Sequence, residues 1–409
     1  MVASPWAVLR CQFADTVNVP PGVDDAYFAD LFTASGSGTL NMVDYFLDSS
    51  HGKIDTGGTE IFGWYRLDQN STEYTGSGSN QAGRNQLVAW AKQKAVATDG
   101  VDFSQYAGVL VCMNVPTDYW GSANSVVGCD VGGLYPTGLA IAMGYAYGML
   151  PSRVEGPPVD FSDPWDAMSG GVYASPHARW RFVGPGLSAA NMYGRGWLDA
   201  GRTHVMKSSG NAVITLRPLH RRDLPGTLAA QIGDLFVEFR TRTGWDTSLP
   251  HPAVLVHTLS SNRSYLMANT DNAVALVEGS VFDHGAGTGH VVFTVENIDP
   301  EAETATIRVN YQLPTGPEVA GPALELLGAA SADGSGIVFI NGKVAKVPPN
   351  SPAYSVLEHL AVVVDAETVD IAEVRDTMLR EGYKAIDATV ASVRQGFEGL
   401  QEVPQLRMS

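Results

Sequence analysis

Apolar and polar positions divide the chain into a first part that mixes strands and helices and a later part dominated by strands. Val8 to Phe13 and Tyr106 to Asn114 are apolar, β-branched runs of the length expected for buried strands. Asp25 to Phe32 carries apolar residues at helical spacing, and Tyr135 to Leu150 predicts a central helix rich in small residues. The pattern therefore predicts an α/β (α+β) domain with a mixed sheet over residues 1–205.

The later part is different in period. Short segments such as Leu235 to Arg240 and Thr304 to Tyr311 alternate apolar and polar residues between turns, which predicts a β-sandwich-like domain over residues 206–350. From Asp365 to Leu400, apolar residues recur at three- and four-residue steps, which predicts a helical segment within residues 351–409. That segment either packs on its own domain or forms a homo-oligomer contact.

Composition narrows the functional classes. The 409 residues carry a formal net charge of −17, which argues against a nucleic-acid surface because phosphate binding needs clustered Lys and Arg. No apolar run reaches membrane-spanning length, so we expect no membrane segment. The first residues resemble a strand and not a secretory leader, which indicates a protein made without export or one whose leader has been removed. The localisation stays open.

The cysteines are too few for a disulfide framework. Cys11 and Cys112 lie in apolar, strand-like runs, and we expect both to be small core residues. Cys129 lies in a Gly-containing turn and is the best candidate for an exposed thiol.

Several stretches resemble segments of one protease family and occur in that family's order. They are Asp44 to Ile54, Phe103 to Val109, Gly184 to Asn191 and Val237 to Arg240. The family is the M6-type (immune inhibitor A-like) group of zinc metalloproteases, which are typically secreted. The resemblance covers roughly residues 5–310 and implies that the first domain is metzincin-like.

The family's chemistry depends on the motif H-E-x-x-H-x-x-G and a third metal ligand. On a helix, two His four residues apart hold Zn²⁺, and the Glu acts as general base toward the metal-bound water. Aligned on this pattern, the chain carries Ile141 and Tyr145 at the two His positions, Ala142 at the Glu and Pro151 at the third ligand. Ile, Ala and Pro cannot bind zinc through their side chains. The resemblance therefore implies a degenerate site with no zinc and no catalytic residue.

Other residues of the family's active-site region persist. Asp163 to Ser169 resembles the family's Met-turn, which implies that Met168 lies beneath the former metal position. Tyr145, His177, Asp163 and Asp166 are the candidate contacts for a ligand in the former cleft. Each has a structural alternative, because isolated His and Tyr residues usually serve packing and Asp166 more simply caps the turn.

These observations predict a pseudoprotease that uses the former active-site cleft to bind an unknown peptide or protein. One alternative is an enzyme in which Tyr145, His177 and nearby Asp residues carry different chemistry or a relocated metal site. A second alternative is an assembly protein that makes contacts through the C-terminal helix. Polar loops such as Asp68 to Gly83 could offer oxygen ligands to structural calcium, but the sequence locates no site.

Overall fold

A computed structural model describes most of the chain. The described residues are 1–16, 18–156, 158–286 and 289–313, together with the backbone of 336–340 and 343–347. The chain divides into two compact units, Met1–Pro314 and Thr315–Ser409. The predicted C-terminal helical segment lies outside the described residues.

Five α-helices occur among the described residues, and local sequence explains where several begin. Asp24 caps the first helix by accepting a hydrogen bond from the Tyr27 amide, and Asn41 begins the second with a reciprocal capping box to Asp44. Gly100, in the left-handed conformation, ends the third. The helices are α1 Asp25–Phe32, α2 Met42–Ser49, α3 Gln81–Asp99, α4 Pro136–Ala146 and α5 Ala189–Gly194.

The strands are short, and we number them in chain order. They are β1 Val2–Ala3, β2 Trp6–Gln12, β3 Ile54–Asp55, β4 Glu60–Arg66, β5 Gly108–Met113, β6 Trp120–Ser122, β7 Val126–Asp130, β8 Arg153–Val154, β9 Ser175–His177, β10 Arg181–Val183, β11 Thr203–Met206, β12 Gly210–Leu216, β13 Ala229–Ile232, β14 Leu235–Arg240, β15 Ala253–Ser260, β16 Arg263–Leu266, β17 Val281–Ala286, β18 Gly289–Asp299, β19 Thr304–Gln312, β20 Gly336–Ile340 and β21 Lys343–Val347. The last two form an antiparallel pair in the second unit.

A five-stranded mixed sheet forms the centre of the first half, in the order β4-β2-β5-β7-β6. Its first four strands are parallel, and β6 is an antiparallel edge strand beside β7. Both faces are covered, because Val8 and Leu110 belong to the core shared with α1, α2 and α4, whereas Leu9 and Val111 belong to the core shared with α3. Burial on both faces explains why the sequence of β5 is continuously apolar.

Two further sheets enclose a second core. One has six strands in the order β11-β13-β14-β15-β16-β8, and the other has four in the order β12-β19-β18-β17. Val237 and Val256 from the six-stranded sheet pack in one cluster with Phe293 and Ile307 from the four-stranded sheet. The chain is therefore mixed α/β with several sheets. The six-stranded sheet takes β8 from before residue 205, so the division into domains at that residue stays a prediction.

The structure corrects two expectations. The central helix ends at Ala146, four residues earlier than predicted, because the chain turns at Gly148 with a φ of +84°. Cys129 is not exposed, since it lies in β7 opposite Cys112 with 1% of its surface accessible. The expectation for Cys11 and Cys112 is confirmed, because both are buried and unpaired. No helix in the described part of the chain is long and apolar enough to cross a membrane.

Candidate functional site

The candidate site is the one open face of the helix α4. Nine of its eleven residues are buried, and only Ile141 and Tyr145 are partly exposed. These two side chains are four residues apart, so they lie on the same face of the helix. Ala142, the residue after Ile141, is buried with 1% of its surface accessible.

Small residues bring α4 very close to its neighbours. A Cβ atom at Gly144 would overlap the Met168 sulfur, and a Cβ atom at Gly121 in β6 would overlap the Ala142 carbonyl. Met168 is fully buried and belongs to the same hydrophobic cluster that Ile141 and Tyr145 pack against. The sequence thus places the helix directly between the Met168 turn and the edge strand, with no room for larger side chains.

The chain folds back after the helix. Gly148 adopts its left-handed conformation at the turn, and Pro151 then becomes buried. The Pro151 carbonyl accepts a hydrogen bond of 2.6 Å from Arg263 Nη1. A guanidinium group therefore lies beside the residue that the sequence alignment assigned to the third metal ligand.

Charged groups surround one end of the open face. Asp160 Oδ1 accepts hydrogen bonds from Arg153 Nε at 2.7 Å and from Arg263 Nη1 at 2.5 Å. Partial burial disfavours ionisation of Asp160, but the two guanidinium groups outweigh it and lower the pKa of this carboxyl. Burial, reinforced by Asp160 and opposed by Arg263, raises the pKa of Tyr145 to about 12. Tyr145 is therefore a neutral phenol near pH 7, with an O–H that can donate.

The edge strand β6 runs beside this face. Gly121 lies next to the Tyr145 Cβ, and Gly121 and Ser122 are both partly exposed. The sheet order ends at β6, so one side of this strand has no partner strand among the described residues. Unpaired backbone groups on such an edge can accept an added strand.

His177 lies away from Tyr145. It ends β9 in a hairpin with β10, and its Nδ1 accepts a hydrogen bond of 3.2 Å from the Trp180 amide. This hairpin packs on the start of α4, where Thr137 donates to the Gly184 carbonyl. Tyr145 follows Thr137 by eight residues, a distance of about 12 Å along a helix. The structure therefore does not bring His177 and Tyr145 together.

Asp163 and Asp166 are structural residues. Both are fully buried. Asp163 accepts a hydrogen bond from the Trp165 amide and lies 3.1 Å from His257 Nε2. Asp166 accepts bonds from three donors, the amides of Met168 and Ser188 and the Asn191 side chain. The expectation that Asp166 caps its turn is confirmed, and neither carboxylate is on the open face where a cleft ligand would lie.

A buried ionic network supports the site, and the sequence-based predictions did not include it. Arg240 bonds Asp246 through Nε at 2.6 Å and Nη2 at 2.5 Å, and its Nη1 bonds Glu238 at 3.0 Å. Burial disfavours ionisation of Asp246, but Arg240 outweighs it and lowers the pKa of this carboxyl. His257 Nδ1 lies 3.6 Å from Glu238, beyond hydrogen-bonding distance. The available signal was the presence of two charged residues, Glu238 and Arg240, within an otherwise apolar strand.

The network holds the segment between Gly184 and α5. Asp246 accepts a hydrogen bond of 3.0 Å from the Gly186 amide, and Glu238 accepts one from the Ala189 amide. Asp166 accepts the Ser188 amide between these two positions. Three buried carboxylates therefore fix this segment beneath the Met168 turn.

Neither a metal-binding cluster among the described residues nor a comparison with known proteins indicates a function. Among residues 1–313, excluding the four that the structure does not describe and Ala286, we find no group of three or more His, Cys, Asp or Glu side chains arranged to hold a metal ion. In the loop from Asp68 to Gly83, Asp68 pairs with Lys94 at 2.8 Å, and Glu73 accepts a hydrogen bond from the Asn70 amide.

No known protein-family model matches the chain, and no curated protein matches it at a significant level.

Proposed function

We propose that the chain is a degenerate M6-type metalloprotease, a pseudoprotease whose former active-site cleft binds an extended peptide or protein segment. The observation that carries this proposal is the open face of α4. In the alignment with H-E-x-x-H, the two zinc-binding positions fall on Ile141 and Tyr145, which are the only partly exposed residues of that helix. A zinc protease needs these two side chains to reach the cleft.

Two neighbouring features support the same alignment. Gly148, at the motif's glycine, has a φ of +84° and ends the helix where the motif requires a turn. Met168, in the segment that resembles the Met-turn, packs against Gly144 on the helix. A mixed sheet followed by this helix is also the arrangement that a metzincin-like domain implies.

The mode of binding follows from the edge strand and the phenol. An extended peptide can pair its backbone with the free side of β6, and Tyr145 lies where a side chain of that peptide would rest. Ile141 adds apolar surface. Arg153 and Arg263 against Asp160 leave a net positive charge at one end of the face, which favours an acidic side chain or a terminal carboxylate there.

The alternative of re-purposed catalysis has weaker support. It required Tyr145 and His177 to act with nearby Asp residues, yet His177 caps its own hairpin and Asp163 and Asp166 are buried in bonds to the protein. General acid–base catalysis requires groups within reach of one reacting atom. The assembly alternative depends on a segment outside the described residues.

We expect the immobilised protein to retain peptides from a protease digest of denatured casein, and Tyr145→Ala to reduce their retention. A Tyr that anchors a peptide commonly contributes about 2 kcal/mol or more, so the apparent affinity should fall at least about thirtyfold. Quantitative mass spectrometry of the bound fraction measures the effect. Peptide retention by Tyr145→Phe should lie between that of wild type and that of Tyr145→Ala, since Phe keeps the ring and loses only the O–H donor.

Tyr193→Ala is the matched control, because Tyr193 is an exposed tyrosine on α5, with 47% of its surface accessible. It should leave retention unchanged. Equal retention by wild type and Tyr145→Ala would count against the cleft as the peptide site, and cleavage of intact casein by the wild-type protein supplied with zinc would count against a pseudoprotease.

The alignment itself can be tested by rebuilding the metal site. The triple variant Ile141→His, Tyr145→His, Pro151→His should bind one zinc ion per chain, because three imidazoles would then face one point, while the wild-type protein should bind none stoichiometrically. Zinc content after dialysis, measured by atomic emission, gives the result. The nearby Arg263 will weaken the site, so Arg263→Gln should tighten zinc binding further.

The double variant Ile141→His, Tyr145→His separates the alignment from general helix geometry. Two His four residues apart bind zinc on any exposed helix face, so the double variant should bind it weakly. Tighter binding by the triple variant than by the double variant is the outcome that depends on Pro151 lying at the third ligand position. Identical zinc affinities for the two would refute the alignment.

A further inference from the structure

A cavity lies away from the open face of α4, and neither Ile141 nor Tyr145 lines it. It has a volume of about 420 Å³, and its walls come from α2, the turn after Pro218 and the loop after β14. This volume is within the range of cavities that bind small molecules. Asp48, Arg222 and His220 supply its polar wall, and Leu40, Pro218 and Trp245 supply its apolar wall.

Two opposite charges line this cavity without pairing. Asp48 Oδ2 accepts a hydrogen bond of 2.9 Å from Trp245 Nε1, and Arg222 Nη1 donates one of 3.1 Å to the Leu47 carbonyl. Among the described residues, neither side chain takes part in an ion pair, although Arg222 acts electrostatically on Asp48. The other charged side chains at this cavity have partners, since Arg221 pairs with Asp223 and Glu303 and Asp246 pairs with Arg240.

Two partly buried charges of opposite sign that do not pair with each other suit a ligand that carries one positive and one negative group. Burial opposes ionisation of Asp48 and raises its pKa, which shows that this carboxylate is poorly solvated and would gain from a bound cation. A guanidinium binds carboxylates in a fixed two-bond geometry. His220 donates from Nε2 to the Leu187 carbonyl, so its buried Nδ1 is an acceptor without a partner in the described part of the chain.

We infer that this cavity binds a small zwitterion, an α-amino acid with an apolar side chain. Its ammonium group lies against Asp48, its carboxylate against Arg222, and its side chain against Leu40, Pro218 and Trp245. The inference does not depend on the pseudoprotease proposal, because neither Ile141 nor Tyr145 lines the cavity.

The test is isothermal titration calorimetry of the full-length protein with L-leucine. Two analogues each remove one charge: L-leucinamide lacks the carboxylate, and 4-methylpentanoate lacks the ammonium group. Losing a hydrogen-bonded charge should weaken binding roughly tenfold to a hundredfold in each case.

Two variants cross-check the assignment of each charge. Asp48→Asn keeps an acceptor for Trp245 Nε1. It should weaken the binding of L-leucine by a similar factor and leave the affinity for 4-methylpentanoate unchanged. Arg222→Gln should weaken the binding of L-leucine and leave the affinity for L-leucinamide unchanged. Asp271→Asn, a substitution of an exposed residue outside the cavity, should alter none of the three affinities.

Circular dichroism of each variant establishes that it is folded. The inference is overturned if L-leucine shows no saturable binding to the folded wild-type protein, or if the two folded cavity variants bind it as tightly as wild type. Failure of the wild-type protein to retain any casein peptide, with leucine binding intact, would reject the proposed function and leave this site standing.

Discussion

Arg240→Met should lower the free energy of unfolding by about 3–5 kcal/mol, the usual cost of removing one partner from a buried ion pair. Arg240 and Glu238 are each fully buried, and Asp246 has only 4% of its surface accessible. Met has nearly the length of Arg, so the substitution removes three charged hydrogen bonds while leaving little empty space. Two carboxylates would then lie in the interior without their cation. Urea unfolding followed by tryptophan fluorescence measures the change.

Arg242→Met provides the control in the same segment of chain. Arg242 is exposed and makes only a long bond of 3.5 Å to the Thr247 carbonyl, so its substitution should change the free energy of unfolding by less than about 0.5 kcal/mol. Arg240→Lys should fall between the two, because an ammonium keeps the charge but cannot match the two-bond contact with Asp246. A loss below about 1 kcal/mol for Arg240→Met would show that the network is not a stabilising support.

Local pattern predicted much of the fold because local physics determines it. The bounds of α1 and β14 agree with the sequence prediction, since capping by Asp24 and the strand pattern from Leu235 are local signals. Cys129 was misjudged because an adjacent glycine indicated a turn, whereas β7 is buried between β5 and β6. That burial arises from strand order, which is not a local property.

In the candidate site too, local sequence predicted some features, whereas others depend on contacts between distant parts of the chain. Helical spacing alone places Ile141 and Tyr145 on one face, so that shared face followed from the sequence, whereas their partial exposure did not. The burial of Asp163 did not, because its partner His257 comes from β15, which is 94 residues away along the chain. Arg263 beside Pro151 is a contact across 112 residues and was equally hidden. Long-range partners decide which acidic residues face a cleft and which support it.

Acid should destabilise the protein through His51 well before most carboxylates titrate. His51 is buried, its Nε2 donates to the Leu219 carbonyl at 2.9 Å, and its Nδ1 accepts the Asp199 amide at 3.0 Å. Both ring nitrogens are thus committed to the neutral form. Burial, opposed by the Leu219 carbonyl and reinforced by Arg222, lowers the pKa of His51 from 6.5 to about 4.

The lowered pKa of His51 makes the folded state less stable in acid. A folded-state pKa below the unfolded value means that His51 contributes stability fully above about pH 6.5 and that this stability is lost as the pH falls toward 4. Between pH 7 and pH 4 the loss should amount to about 3 kcal/mol, since each pKa unit corresponds to about 1.4 kcal/mol. His220, whose pKa burial lowers to about 3, adds a loss of the same sign.

His51→Gln isolates the contribution of this residue. The amide can still donate to Leu219 and accept from Asp199 but cannot take up a proton, so the variant should lose about 3 kcal/mol less than wild type over the same pH interval. His220 and the buried carboxylates remain in both proteins, and their contributions cancel in the comparison. His204→Gln, a change at an exposed histidine, should leave the pH dependence of wild type intact. Parallel curves of unfolding free energy against pH for wild type and His51→Gln would mean that the buried imidazole accepts a proton without breaking its contact with the Leu219 carbonyl.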